Sequence, residues 1–442
     1  MPRADPMEIS FLHRTLDNGL DVLVHEDRNC PIVAVNVWYH VGSKNEKPGR
    51  TGFAHLFEHL MFEGSQHYDH GYFQPLQQAG ASLNGSTNAD RTNYWEVVPS
   101  NAVELALWME SDRMGYLLPA LTEAKFDNQR DVVLNERRQN YENRPYGFAG
   151  MALVSELYPE THPYHWLTIG AAEDLRAAHL DDVRAFFQTY YHPGNASLAI
   201  AGDIEADVAF RLAEEHFGSL AAGAPPPPVD APAIQPRTLE TRLLLEDRIE
   251  LPRLYIAWHS PTLFGTDDAE LDLVADVLAG GKTSRLYRAL VYEQRIATEV
   301  AASQNSRELS GYFQVVATAA PGRTLAELDA AISAEIEKLA ASGPTQAEME
   351  RGIAQAEVHF ISRLQTVGGF GGKSDQLNAY NVFLGDAGYF DRDLARYRNA
   401  SAPDLTRVTS QWLRADRRVV LSVVPRGRVE LALDGSRPVS VS

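Results

Sequence analysis

Four consecutive prolines, Pro225 to Pro228, interrupt this 442-residue chain close to its middle. Such a run is a stiff, extended spacer, and it lies within a longer proline-rich stretch, AAGAPPPPVDAPAIQPR, at residues 221–237. Beyond the spacer the chain repeats the pattern of its first half. Leu23 to Pro31 reads LVHEDRNCP, and Leu244 to Pro252 reads LLEDRIELP, with one residue more between Arg and Pro. Each leads into a strand-like run with a Trp near its end, Trp38 and Trp258. Each strand leads into a helix-like run that closes near a glycine, Gly64 and Gly281. The chain is also too long for one ordinary core. The spacing predicts an internal duplication of roughly 200 residues. It gives a first domain at 1–222, a linker at 223–237 and a second domain at 238–442.

Local patterns fill in the first copy. Asn18-Gly19 is a hairpin turn signal, with Leu20, Val22 and Val24 alternating beyond it. Ile32 to Val41 is β-branched and aromatic, as a central strand requires. Residues 72–80 read as helix, and 81–98 as two polar-rich strands around Asn88-Ala89-Asp90. A further amphipathic helix is expected over 101–118. Thr122 is placed to cap the next helix, and 171–191 is helical again. Asn195 to Gly202 reads as a buried strand, followed by a helix within 203–220.

Between the central strand and residue 72 lies TGFAHLFEHLMFEG, Thr51 to Gly64. As a helix it buries Phe53, Leu56, Phe57, Leu60 and Met61 along one stripe. His55 and His59 then stack one turn apart on another face, with Glu58 beside them. Gly64 is a stop signal. Two imidazoles at that spacing suit zinc, and a catalytic zinc needs a third protein ligand from elsewhere. Glu58 is too close in sequence to reach the same ion comfortably, but it is placed as a base toward water acidified by the metal. The plainer reading is a helix with two solvated histidines. In the second copy the aligned helix, DLVADVLAGG, has Asp272, Ala275 and Asp276 at these positions, so the metal-binding groups are gone.

Composition narrows the classes. The net charge of −19 opposes nucleic acid as a partner. No apolar run reaches the ~20 residues of a membrane span. The one cysteine, Cys30, excludes an internal disulfide and any multi-cysteine zinc site. The N-terminal residues lack the pattern of a signal peptide, which favours a cytoplasmic location, or a periplasmic one if a signal has been removed.

With these residues the chain resembles the inverzincin metallopeptidases, whose signature is H-x-x-E-H. More closely it resembles the pitrilysin-type family, which includes the mitochondrial processing peptidases and insulin-degrading enzyme. That family takes its third ligand from a Glu with 76 residues intervening after the second His. Here residues 60 to 135 separate His59 from Glu136, in the context VVLNERR. The resemblance continues through LNGSTNADRTNYWEVVP, HPYHWLTIG, YYHPGNASLAIAGD and GGKTSRLYRALVYEQRIA. It implies an α+β fold of two duplicated domains, each a mainly antiparallel sheet flanked by helices. It implies one zinc per chain on His55, His59 and Glu136, with Glu58 as general base in peptide hydrolysis. It also implies that Asn84 and Gly85 lie on an edge strand to which an extended peptide adds; their plainer reading is a turn. In relatives of this length two chains close a chamber around a peptide.

Two departures qualify the likeness. Family members carry a Glu seven residues before the ligand Glu, and here that residue is Gln129, which can still hydrogen-bond behind the ligand. Active relatives also carry an Arg and, seven residues later, a Tyr in the second half. The aligned positions are Val291 and Thr298, while Arg285 and Tyr292 have the spacing six residues too early. Some bacterial members divide the zinc motif and the Arg/Tyr pair between two chains. The expectation is therefore the zinc-bearing subunit of a heterodimer, with a homodimer or a non-catalytic scaffold subunit as alternatives.

The remaining motifs carry less. GGFGGKS at 368–374 lacks the first glycine of a phosphate loop, where Val367 stands. It is either a flexible loop that contacts substrate or a turn between helices. His162, His165, His179 and His192 read as structural, and His67 and His70 need no metal.

Overall fold

The computed structural model describes residues 8–441. Its strands form two six-stranded sheets. The first holds β1 (Leu12–Thr15), β2 (Asp21–Glu26), β3 (Ile32–Tyr39), β4 (Ser82–Thr87), β5 (Thr92–Pro99) and β6 (Ala196–Gly202), in the order β1-β2-β6-β3-β5-β4. The second holds β7 (Thr241–Asp247), β8 (Arg253–Ser260), β9 (Ala297–Asn305), β10 (Gly311–Ala319), β11 (Val419–Pro425) and β12 (Arg437–Pro438), in the order β12-β7-β11-β8-β10-β9. From β2 and from β7 onward the two orders are the same. Each sheet is antiparallel except at one matching junction, β2 with β6 and β7 with β11, and at the short β12. The repeat seen in the sequence is thus a repeat of topology, down to the matching parallel pairs β2–β6 and β7–β11. Trp38 and Trp258 occupy the equivalent strands β3 and β8.

The central positions follow from composition. All seven residues of β6 are buried, and so are all but the first of β3. Strands covered on both faces read as continuous apolar runs. The Asn18-Gly19 turn closes β1 onto β2 with Leu12 opposite Val24, and Gly19 takes a φ of 88°, which glycine adopts without strain.

The helices follow their periodic signals: Phe73–Gln78, Val103–Ala120, Glu123–Arg137 and Ala206–Phe217. The expected helix over 171–191 is two helices, Ala172–Ala177 and Leu180–Tyr190. The break is at Ala178 and His179, both extended, where Asp182 accepts the His179 N–H and starts the second helix.

The chain forms two compact units, and neither is continuous in sequence. The first comprises residues up to Glu136, Leu167–Asp230 and His359–Arg392; the second comprises Arg137–Trp166, Ala231–Val358 and the residues from Asp393 on. In the first unit the helix Lys373–Leu384 lies on β6 and β3. Asn378 donates to the Asn36 carbonyl and Asn381 to Ser197 and Asp21. The glycine-rich stretch 368–372 is the turn into this helix. Lys373 is ion-paired with Asp27, and the Gly371 N–H donates to Asp375. A phosphate-loop lysine is free to meet phosphate, and this one is engaged. No helix among the described residues is long and apolar enough to cross a membrane.

Candidate metal centre

The motif helix runs from Phe53 to Leu60, eight residues. That is too short to be stable alone, so packing and capping hold it. Phe53, Leu56, Phe57, Leu60 and Met61 are all buried, each contributing roughly 1.5–3 kcal/mol. Phe57 packs against Phe186, Phe187 and Tyr191. At the N-terminus, the Glu46 carboxylate accepts the N–H groups of Gly52 (3.0 Å) and Ala54 (2.8 Å). A carboxylate there satisfies orphan donors and complements the helix dipole. Gly52 sits at φ 87°, and a Cβ on it would lie 2.9 Å from the Ile169 carbonyl oxygen. Thr51 is fixed by Asp174 through its N–H and hydroxyl.

These constraints aim His55, Glu58 and His59, the half-buried residues of the helix, away from the core. Glu136 arrives from the helix Glu123–Arg137, whose start is capped by the Thr122 hydroxyl. His55 Nε2 lies 3.6 Å and His59 Nε2 3.4 Å from Glu136 Oε2. Ligands about 2.0–2.1 Å from a tetrahedral zinc stand roughly 3.3 Å from one another, so the spacing fits. Among the described residues these three are the one group of three or more His, Cys, Asp or Glu able to share a metal ion. Asp272 and Asp276 form no such group. Asp272 accepts instead a hydrogen bond of 2.7 Å from the Tyr397 hydroxyl.

The two imidazoles are shifted in opposite directions. Burial, reinforced by His59, lowers the His55 imidazole to about 4 against the pull of Glu136. It is therefore neutral at pH 7, the form a metal requires. His55 Nδ1 is buried without a hydrogen-bond partner. Burial also lowers His59, but contact with Glu136 and the charge of Glu58 more than reverse this, so its pKa is raised. Glu58 is pushed above the usual carboxylate range by burial, with Glu136 adding to the effect. Neighbouring Thr87, His59 and Arg91 pull it back.

Gln129 sits two turns before Glu136 on the same helix. Its amide donates to Glu63 and it also touches His59. Asn84 and Gly85 fall on β4, the edge of the first sheet, opposite Trp95 and Tyr94 of β5. The Gly85 N–H donates to the Asn84 side-chain oxygen (2.8 Å). A Cβ on Gly85 would stand 3.1 Å from Phe62 and Tyr94. In the second unit, Arg285 makes a two-pronged ion pair with Glu348 (2.8 Å each) and also donates to the Gly343 carbonyl. Tyr292 is 75% exposed, and Thr298 lies on β9.

Sequence reasoning missed several supports. Arg91 is half-buried, stacks over Trp38 at 5.0 Å and donates to the Ser86 carbonyl (2.8 Å). Asp375 accepts from Trp38 Nε1 (2.8 Å), Asn93 (3.1 Å) and Asn36 (3.3 Å). Thr87 was findable, because it is two residues beyond Gly85 on the same face of β4. Glu46, Asp174 and Asp375 carry no local signal.

Comparison with known proteins fits this geometry. Residues 21–163 match the model described as insulinase, peptidase family M16, and residues 177–356 match that of the peptidase M16 inactive domain. The chain belongs to peptidase family M16. It is 29% identical over 406 residues to the zinc protease PqqE of Helicobacter pylori, covering 90% of this chain and 89% of that one. It is 26% identical over 268 residues to the mitochondrial-processing peptidase subunit beta of Lentinula edodes, covering 57% of this chain and 55% of the other. The crystal structure of a protease from Helicobacter pylori superposes with a TM-score of 0.86 at 26% identity, covering 94% of this chain and all of that one. The boundary between the two family models falls at residues 163–177, within the first copy, whereas the repeat of topology begins again at β7.

Proposed function

We propose that this M16 protein is a zinc-dependent peptidase acting on peptides or unfolded polypeptides. The observation that carries the reading is the convergence of His55 Nε2, His59 Nε2 and one Glu136 carboxylate oxygen beside Glu58. His55, His59 and Glu136 would hold the ion. A zinc ion there would supply Lewis acidity toward water and toward a scissile carbonyl. Glu58 takes the proton of the attacking water and passes it to the leaving amine. Its raised pKa, caused first by burial, brings it closer to the working range of a base that must also act as an acid. Gln129 and Glu63 brace the ligands from behind.

The free edge of β4 is the natural place for an extended peptide. The Gly85 N–H is held by the side chain of its own neighbour, Asn84, so an incoming substrate carbonyl can replace that oxygen. Backbone pairing of this kind tolerates many sequences.

Arg285, the Arg of the displaced Arg/Tyr spacing, is bound to Glu348, which favours a second, homologous chain as the source of such a pair. The likeness to a chain named subunit beta points the same way. The test is cleavage of a mixed peptide library by the purified chain, with Glu58→Gln as control. Cleavage by wild type and none by the control supports a self-sufficient homodimer. Zinc-loaded protein that is silent alone and active with a homologous chain supports the heterodimer. An intact Glu58→Gln protein that cleaves at the wild-type rate removes Glu58 as the base. The second reading, a scaffold subunit, rests on Gln129 and the absent pair, and a chain that binds no zinc would favour it.

A further inference from the structure

A cleft of about 650 Å³ lies wholly within the second unit, and none of His55, Glu58, His59 and Glu136 lines it. Its volume is that of a small-molecule site. Ile234, Leu309 and Trp412 supply apolar wall, and His162, His259 and Ser260 supply the polar part. Arg237 and Arg417 also line it, and no Asp or Glu does. That is unusual in a chain with 59 acidic and 40 basic residues.

The polar groups are short of partners. His162 is 1% exposed. Its Nδ1 accepts the Tyr164 N–H (3.0 Å), which leaves the proton on Nε2. Burial, with Arg307 and His165 nearby, holds this imidazole at about 4, so it is a neutral donor at pH 7. His259 Nδ1, Ser260 Oγ and Arg237 Nε are buried with no hydrogen-bond partner. Three partnerless polar atoms around one cleft exceed what a folded core normally tolerates. The other Arg237 nitrogens hold Glu156 and Thr241. Arg417 is exposed and its charge acts on neighbouring Asp416, which does not line the cleft. The cleft therefore offers donors on His162, Ser260 and Arg237 and the cation of Arg417 beside an apolar wall, with no carboxylate in its lining to neutralise a cationic guest; His259, which donates to the Leu157 carbonyl, presents Nδ1 as an acceptor.

We propose that this cleft binds a small carboxylic acid with an apolar or aromatic body, its carboxylate toward His162 and Arg417 and its body against Ile234, Leu309 and Trp412. The same chemistry is presented by a free organic acid and by the carboxylate end of an apolar peptide. The proposal is independent of the metal centre.

The test is isothermal titration of the full chain at pH 7.5 with 4-phenylbutyrate, its primary amide and 4-phenylbutylamine, and with N-acetyl-leucyl-phenylalanine and its C-terminal amide. Saturable one-to-one binding of at least one acid is expected, tenfold or more tighter than its uncharged and cationic analogues. Tighter binding of 4-phenylbutyrate assigns the site to a free acid, and tighter binding of the blocked dipeptide to a peptide end. Arg417→Glu, an exposed change that spares the fold, should weaken the acid at least fivefold and leave the thermal midpoint unchanged. Ala233→Trp should fill the cleft and abolish binding. Equal binding of acid and amide, no saturation by either acid, or undiminished binding in Arg417→Glu would overturn the proposal.

Discussion

His59 Nε2 and Glu136 Oε2 stand 3.4 Å apart, brought together by two short structures that hold their ends in place: an eight-residue helix capped by Glu46, and a helix started by Thr122. With His55 they would supply three ligands to a zinc ion, as proposed above, leaving room for a water. Substituting any one ligand should therefore remove the ion. The expected zinc content of His55→Ala, His59→Ala or Glu136→Gln, measured by mass spectrometry after dialysis, is below a tenth of an equivalent, against about one for wild type. Full retention in Glu136→Gln would mean that the third ligand lies elsewhere.

Gln129 touches His59 and donates to Glu63. Partners behind a ligand typically govern 10–100-fold in metal affinity. Gln129→Ala is expected to weaken zinc by that factor in a chelator competition while leaving the urea midpoint of the metal-free protein nearly unchanged. Unaltered affinity would make Gln129 a bystander and locate the departure from the family pattern in surface chemistry alone.

The cap of the motif helix predicts a coupling between stability and metal. Glu46 accepts two backbone N–H groups in a buried setting. Its loss leaves them without partners, a cost of about 1–3 kcal/mol. Glu46→Ala should lower the urea unfolding free energy by about 2 kcal/mol and weaken zinc in parallel, because His55 and His59 ride on that helix. A stability loss with unchanged zinc affinity would show that packing of Phe57 and Leu60 alone orients the ligands.

The elements that sequence made legible are those written in local periodicity. The motif helix and the strands of the first sheet are of that kind, and so is the strand pattern that restarts in the second copy, because alternation and helical spacing record which face is covered. Glu136 was reached through the spacing that the family resemblance implies, not through its own neighbourhood. What stayed hidden depends on contacts between distant segments. Glu46 and Asp174 are ordinary acids until the chain brings them to Thr51, Gly52 and Ala54. Asp375 is one more polar residue of a helix until it meets Trp38, Asn36 and Asn93. The assignment of 359–392 to the first sheet was hidden for the same reason. Asn378 and Asn381 look like surface residues, and only their bonds to Asn36, Ser197 and Asp21 reveal the packing.

The second copy makes a prediction of its own. Asp272 occupies the place that His55 holds in the first, is half-buried, and has its carboxyl raised to about 7, first by burial and then by the charge of Asp268. Tyr397 donates to it, Asp276 lies one turn further along the same helix, and Arg396 ties Asp268. Because the folded-state pKa lies above the ordinary value of 3.8, the folded chain binds the proton more tightly than the unfolded one. The associated stability is fully present below about pH 4. It is lost as the pH rises toward 7, and it is constant once both states are ionised. The magnitude is of order 2 kcal/mol after allowance for the exposed part of the residue. Asp272→Asn keeps an acceptor for Tyr397 and removes the titration. In urea unfolding, wild type and variant should match closely at pH 4, and the variant should become progressively the more stable as the pH is raised to 8. A difference that does not change between pH 5 and 8 would mean that Asp272 is already ionised throughout that range, its charge met by Tyr397 and Arg396.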